Sequence, residues 1–240
     1  MVPEAVTDDG ALTGRVLPVL AGSDPAGSDP TGSHPTGSDP AGGDRPGPSP
    51  AGKPSPADEQ PRITFDRVGP GGTVASDSSF GVALVGLWQQ CAESGAPVGF
   101  PAPVARIEVA ARAAELVDGL RKGTVVGVVA NHAHRLVGVG LLRTGRGIRD
   151  HTGRVEILLV HPDRVRDGLG TTILRDLLEL ATARGVERVD LEMQDDTGLA
   201  GFFGGFGFTE WGRRPSWLRL GPGGPRDEVV LGAVLAPAGT

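Results

Sequence analysis

The first quarter of the chain carries a tract that cannot contribute to a hydrophobic core. Between Ala21 and Pro61, 18 of the 41 residues are proline or glycine, and a five-residue unit repeats as AGSDP, AGSDP, TGSHP and TGSDP. That unit is too short for a solenoid repeat, and the tract lacks the large apolar side chains that offset chain entropy. The sequence therefore predicts a disordered tail over residues 1–60 and one folded domain over residues 61–240.

Charge separates the same two parts of the chain. Residues 1–60 hold nine acidic and three basic side chains, whereas residues 61–240 hold 20 of each, which accounts for the net charge of −6. A domain without excess positive charge lacks the footprint of a nucleic-acid binder. The single Cys91 cannot form an internal disulfide, no apolar run is long enough for a membrane helix, and the histidines show no zinc-ligand spacing. These features predict a cytoplasmic protein without metal, nucleic-acid partner or membrane partner.

Hydrophobic periodicity predicts strands and helices within the domain. The expected strands are Arg62–Val68, Thr124–Ala130, Leu136–Leu142, Arg154–Val160, Val186–Met193, Thr209–Leu220 and Asp227–Leu235. Two helices precede the second strand, and their expected buried residues are Phe80, Leu84, Leu87, Trp88 and Cys91 in the first and Ile107, Ala110, Ala114, Val117 and Leu120 in the second. A third helix is expected over Gly168–Arg184 and a short one over Gly198–Phe203. The central strand–helix–strand unit predicts a right-handed parallel crossover. The expected fold class is thus α+β, a three-layer α/β/α arrangement around a mixed, mostly antiparallel sheet.

One strand-to-helix connection points to chemistry. Between Val160 and Thr171 a strand ends, a polar loop with two arginines follows, and Gly168-Leu-Gly170 opens a helix. A helix N-terminus offers unpaired amides and a positive dipole end, and glycines let an anion approach them, so the pattern suits a phosphate group. A tight structural turn would show the same Gly-x-Gly. The missing third glycine and the preceding hairpin argue against a dinucleotide-binding unit.

Two segments together resemble the GNAT superfamily of N-acetyltransferases. Val160-His-Pro162 followed by Gly168-Leu-Gly170 is similar to the family's pyrophosphate loop, and Asp196 to Phe208 follows its second motif. The resemblance covers about residues 61–237, and the tail of the domain is most similar to members of the tabtoxin-resistance type. It implies a central parallel strand pair that splays apart. It also implies an acetyl-CoA-dependent transfer to a primary amine of a small molecule or peptide by direct attack, and it is compatible with a homodimer.

The same resemblance implies where acetyl-CoA binds. The coenzyme would lie where the strand ending at Val160 separates from the strand starting at Val186. The implied coenzyme-binding residues are Leu158, Leu159, Val160, Val165, Arg166, Asp167, Gly168, Leu169, Gly170, Thr171, Asp196 and Phe203. Val165 stands where the family's loop begins with Gln or Arg, so Arg164 or Arg166 must supply the positive charge. Phe203 stands where many members have the tyrosine proposed to protonate the leaving thiolate, and this chain contains no tyrosine.

Carboxylates on two strands are the candidates for the catalytic base. An alkylamine with a pKa of ~10 is mostly protonated at neutral pH, so a base assists its attack. Glu156 is the first candidate because it has the strand parity of Leu158 and Val160; Glu192 and then Asp190 follow. Each could instead be a solvated carboxylate on a strand face. Without a side-chain acid, the fold could also serve a catalytically silent acyl-CoA sensor, and a nucleotide- or phosphate-binding regulatory domain is the third alternative.

Overall fold

The computed structural model describes residues 62–72, 77–220 and 223–236. The predicted tail over residues 1–60 lies outside them. Within the described part, seven strands form one sheet: β1 (Ile63–Val68), β2 (Val125–His132), β3 (Arg135–Thr144), β4 (Thr152–Val160), β5 (Arg188–Gln194), β6 (Thr209–Arg219) and β7 (Pro225–Val234). The helices are α1 (Ser78–Glu93), α2 (Arg106–Arg121), α3 (Leu169–Thr182) and α4 (Leu199–Gly204).

The strand order is β1-β2-β3-β4-β5-β7-β6. Every neighbouring pair is antiparallel except β4 and β5, which are parallel. Helices α1 and α2 bury one cluster of apolar side chains against one face of the sheet, and α3 and α4 bury a second cluster against the other face. The predicted three-layer α+β fold with a mixed, mostly antiparallel sheet is confirmed. None of the described helices is both long and apolar enough to cross a membrane.

Local signals explain where the first helices begin and which faces they bury. The Asp77 carboxylate caps α1 by accepting a bond from the Ser79 amide at 2.8 Å. The stripe predicted for α2 is wrong at two positions, because Ile107 is 77% exposed and Ala114 is also exposed. Small and apolar residues occur all around α2, so periodicity alone did not select a face. The residues that the helix buries are Val109, Ala113, Leu116, Val117, Gly119 and Leu120.

Helix α3 packs directly onto β3 because two glycines there leave room for its side chains. A Cβ atom placed on Gly138 would lie 2.6 Å from Ile173 Cδ1, and one placed on Gly140 would lie 2.7 Å from Ile173 Cγ2. Both distances are shorter than any van der Waals contact, so only glycine allows this approach. Close packing of α3 holds its N-terminus at the end of β4, where the predicted phosphate loop lies.

The parallel pair at the centre of the sheet separates after three residues. Strands β4 and β5 pair only over Thr152–Arg154 and Arg188–Asp190. Beyond that vertex, β4 continues to Val160 along β3, and β5 continues to Gln194 along β7. Each strand therefore keeps one partner and leaves its other edge facing a gap. The splayed pair that the resemblance implied is present.

Candidate active site

The open end of the gap meets a loop whose backbone amides are arranged to bind an anion. Arg166 and Gly168 have φ angles of 75° and 77°, and the first α3 bond runs from the Thr172 amide to the Gly168 carbonyl at 3.0 Å. The amides of Leu169, Gly170 and Thr171 therefore donate to no carbonyl within the described part of the chain. We call residues 165–171 the cradle. A positive φ at a non-glycine residue such as Arg166 costs free energy, and such conformations concentrate at functional sites.

The two arginines of this loop differ in what they contact. Arg164 bonds Asp167 at 3.5 Å and lies 3.4 Å from the His132 ring. Arg166 is exposed and forms no ion pair among the described residues. Of the two, Arg166 has the guanidinium that a phosphate could engage without displacing a carboxylate.

Residues expected along the coenzyme lie on both sides of the gap. Leu158 and Leu159 are fully buried, and their side chains join the clusters on opposite faces of the sheet. Across the gap, Asp196 is exposed with a φ of 61°. Phe203 is fully buried on α4, and its ring meets the Phe208 ring edge-on with centroids 5.7 Å apart. Without a hydroxyl, Phe203 serves the core by packing alone.

A bulge turns Glu156 away from the face that strict alternation predicted. Leu141 pairs with Ile157 and Leu142 pairs with Val155, which leaves Glu156 as the extra residue of β4. Its carboxylate lies on the α2 side, where Arg112 bonds Oε2 at 2.5 Å and Arg143 bonds Oε1 at 2.5 Å. Leu158 and Val160 instead belong to the cluster beneath α3. The shared parity expected for these residues is wrong because the insertion of one residue reverses it.

A second ion-pair network covers the vertex on the same face. Arg154 bonds both oxygens of Asp190 at 2.9 and 2.5 Å and bonds Glu192 Oε1 at 2.8 Å. Arg214 also donates to Glu192 Oε1 at 3.3 Å and pairs with Glu228. Hydrogen bonding to Asp190 raises the pKa of Arg154 above its ordinary value, so this arginine stays charged. The network joins four strands through side chains that alternation places on one face.

Two carboxylates of this network are almost completely buried. Glu192 and Glu228 are 3% and 2% exposed. Burial raises the pKa of Glu228, and the nearby charge of Glu192 raises it further, whereas Arg214 opposes both effects. A buried carboxylate beside another carboxylate holds a proton more readily than an isolated one. Glu228 is therefore suited to accept a proton.

A cavity of about 640 Å³ opens beside the vertex on the α2 side of the sheet. Its charged walls include Glu156, Asp190 and Glu192. Trp211 forms another wall, where its ring covers Gly232 so closely that a Cβ there would lie 2.1 Å from Trp211 Cδ2. The volume is that of a small-molecule site. The molecule thus offers an anion cradle at one end of the gap and a carboxylate-lined cavity at the other.

The profile of the Acetyltransferase (GNAT) family matches residues 87–208, which include the splayed pair, the cradle and α4. That match covers slightly more than half of the chain. The chain belongs to the GNAT acetyltransferase family. Members of this family generally take their acetyl group from acetyl-CoA. No curated protein sequence matches the chain significantly.

Solved GNAT structures share the fold at low sequence identity. The ribosomal-protein-S18-alanine N-acetyltransferase from Escherichia coli is 16% identical with a TM-score of 0.56, over 74% of this chain and 97% of that one. The aminoglycoside 6'-acetyltransferase type Ii is 15% identical with a TM-score of 0.56, over 73% and 99%. A GCN5-related N-acetyltransferase from Kribbella flavida is 15% identical with a TM-score of 0.57, over 72% and 98%. At these identities the likeness concerns the fold.

Several residues of this GNAT site escaped the sequence analysis. They are the arginines that engage its carboxylates and two residues near the chain end, namely Arg112, Arg143, Arg154, Trp211 and Glu228. The one sequence signal for this charged region was the alternation on β5, which places Asp190 and Glu192 on the same face of the sheet. Arg213 and Arg214 are adjacent in sequence but have different partners: Arg213 pairs with Asp195 and Glu210, and Arg214 pairs with Glu192 and Glu228.

Proposed function

We propose that this GNAT protein is an acetyl-CoA-dependent N-acetyltransferase that acts on a primary amine of a small molecule or peptide. The observation that carries the proposal is the gap between β4 and β5. It opens at the cradle and narrows to a vertex beside a cavity lined by carboxylates. A donor held along the gap and an amine held in the cavity would meet at the vertex.

The cradle and the β4 edge are the parts that hold the donor in this proposal. Amides of Val165–Thr171 bind the pyrophosphate, Arg166 adds positive charge, and amides of Leu158–Val160 bind the pantetheine arm and the acetyl oxygen. Asp196 flanks the arm from the turn before α4, and Phe203 supports that side of the gap from the core beneath α4. Acetyl-CoA supplies a thioester carbonyl, which the amine nitrogen attacks while the carbon–sulfur bond breaks.

Direct attack is supported by the state of the one cysteine in the chain. Cys91 is buried and its thiol donates to the Val160 carbonyl at 3.3 Å. Burial raises the pKa of this thiol to about 12, so the thiolate that could accept an acetyl group is scarce at neutral pH. The amine therefore attacks the thioester itself. The departing thiolate, with a pKa of ~8.5, takes its proton from water because Phe203 has none to give.

Glu192 is the base in this mechanism. It lines the cavity, and the pKa of its neighbour Glu228 is raised first by burial and then by repulsion from the nearby charge of Glu192. Taking the amine proton relieves that repulsion. Glu156, the first candidate from the sequence, also lines the cavity and, like Glu192, accepts bonds from two arginines. Of the two, Glu192 is the one that lies beside the buried Glu228. Asp190 is bound through both oxygens to Arg154.

Paired variants separate these carboxylates. Glu192→Gln should lower kcat/KM by ~10²-fold or more at neutral pH and recover partly at high pH, where the amine deprotonates itself. Asp190→Asn, which also loses a bond from Arg154, is its control. Glu156→Gln is compared with Glu115→Gln, since both carboxylates bind Arg112. Thiol release measured between pH 6 and 10 gives the profiles.

Each outcome of this comparison supports a different assignment of the base or of the function. A pH-dependent loss confined to Glu156→Gln would transfer the base to Glu156. Flat ratios of variant to wild type for all carboxylates would exclude a base among them. Binding of acetyl-CoA without turnover of any amine would instead identify a silent acyl-CoA sensor and refute the enzymatic proposal.

A further inference from the structure

The cavity beside the vertex holds more positive than negative charge. Five arginines line it, at positions 112, 143, 149, 154 and 188, against three carboxylates, Glu156, Asp190 and Glu192. Arg112 and Arg143 both bind Glu156, and Arg154 binds Asp190 and Glu192. Two positive charges remain once each carboxylate is assigned.

The two remaining charges are Arg149 and Arg188. Neither side chain forms an ion pair or hydrogen bond within the described residues, and both are exposed at the cavity wall. They come from separate elements, the turn before β4 and the first residue of β5. A second sign of an absent partner lies deeper: the Arg112 Nε atom is buried and has no acceptor among the described residues. An oxyanion is the partner that such guanidinium groups bind best.

Strand geometry sets the distance between this positive region and Glu192. Arg188, Asp190 and Glu192 alternate along one face of β5, so Arg188 and Glu192 are four residues and ~13 Å apart at their Cα atoms. An arginine side chain spans about half of that distance. A ligand that reaches both needs its amine and its acidic group several bonds apart.

We propose that the acceptor is a small primary amine that carries an oxyanion, such as a carboxylate, several bonds from its nitrogen. This inference rests on the proposed function. Glu192 faces the amine, and Arg149 and Arg188 bind the anion at the cavity mouth. Trp211 provides a flat wall for the apolar chain between them. The cavity volume of about 640 Å³ suits such a molecule and leaves little room for a folded partner.

The test compares two amines that differ only in charge, 6-aminohexanoate and 6-aminohexanamide. At saturating acetyl-CoA, thiol release should give a kcat/KM at least ~10-fold higher for the acid, because two charge-assisted contacts are lost with the amide. The acid-to-amide ratio should fall about fivefold in Arg149→Ala or Arg188→Ala and approach one in the double variant. Arg188→Lys should retain part of the preference, and added salt should reduce it.

The matched control is Arg175→Ala, which removes an exposed arginine from α3 on the other face of the sheet. It should leave the acid-to-amide ratio unchanged. A wild-type ratio near or below one, or a ratio that the double variant does not alter, overturns the inference. Turnover of other amines but of neither probe also overturns it and leaves the N-acetyltransferase standing. No turnover of any amine, with acetyl-CoA bound in calorimetry, overturns both.

Discussion

The two ends of the gap between β4 and β5 offer different chemical groups to the ligands proposed for them. The cradle is one continuous segment, residues 165–171, and it offers backbone amides that any sequence of suitable conformation could provide. The vertex cavity is built from side chains on α2, β3, β4, β5 and β6. The pyrophosphate is common to all acyl-CoA donors, so backbone amides are sufficient to bind it. An acceptor that differs between enzymes needs side chains, because only they can vary while the fold stays the same.

The free-energy cost of the polar groups also differs between the two ends of the gap. Unpaired amides at a helix N-terminus remain accessible to water until an anion binds them. The vertex instead buries Glu192 and Glu228, which must be compensated by Arg154 and Arg214. We therefore expect substitutions at the vertex to affect stability and substitutions in the cradle to affect coenzyme affinity.

The largest effect is expected when the vertex loses its central cation. Arg154→Met leaves Asp190 and Glu192 without their main partner and should lower the free energy of unfolding by about 3 kcal/mol, measured by urea denaturation. Arg213→Met, which breaks a cluster at the surface with Asp195 and Glu210, is the control and should cost far less. Equal losses would show that burial does not distinguish the two clusters.

The next effect concerns the cradle. Gly170→Asp adds a side chain and a negative charge among the amides and should weaken acetyl-CoA binding more than tenfold in calorimetry. Circular dichroism monitors the fold. Because Gly170 is buried, Thr171→Glu serves as a second variant on a half-buried position. Gly81→Asp, in the first turn of α1 with open space around its Cβ, is the control. Unaltered affinity in both cradle variants would refute this coenzyme site.

A smaller effect reports the electrostatics of the vertex. Since the pKa of Glu228 is raised in the fold, its neutral form contributes stability below the unfolded-state pKa near 4.5, and that contribution is lost as pH rises through the folded-state pKa. Glu228→Gln mimics the neutral form. The stability of this variant relative to wild type should therefore increase between pH 4 and 8, despite the lost pairing with Arg214.

The surface cluster around Arg213 serves as a control, because the pH dependence of its contribution to stability should have the opposite sign. A hydrogen bond from Arg213 lowers the pKa of Asp195, so its charged form contributes stability above the unfolded-state pKa that is lost as pH falls. Asp195→Asn should lose stability relative to wild type as pH rises toward the unfolded-state pKa near 3.8, with little further change above about pH 5. Denaturation curves at several pH values test both. The same sign in the two variants would contradict the assigned environment of one of them.

The smallest effect is expected outside both ends of the gap. We propose that residues 1–60 are dispensable for the domain, because residues 21–60 carry no large apolar side chain that could pack against it. A chain beginning at residue 61 should match the full chain in Tm and in acetyl-CoA affinity. A loss of several degrees, or an altered affinity, would show that the repeats contact the domain.

The sequence by itself determined the order of the elements and the position of the cradle. Those features depend on short-range patterns: apolar periodicity, the glycines at 168 and 170, and the alternation that sets Asp190 and Glu192 on the same face of β5. The mixed sheet followed from periodicity, and the family resemblance followed from the motifs at Val160–Gly170 and Asp196–Phe208; both are confirmed. The face of α2 did not, because apolar residues surround that helix and only packing against the sheet exposes Ile107.

Only the tertiary structure decided the chemistry of the vertex. A single bulge moves Glu156 to the α2 side, and nothing in the neighbouring residues encodes it, since it depends on how β3 and β4 pair. Arg112 and Glu156 are 44 positions apart and Arg154 and Glu192 are 38 apart, so no local pattern connects them. The apolar periodicity of a strand predicts which face of the sheet a charged side chain occupies. Which charges meet on that face is set by the sheet order, and that order exists only once the strands have paired.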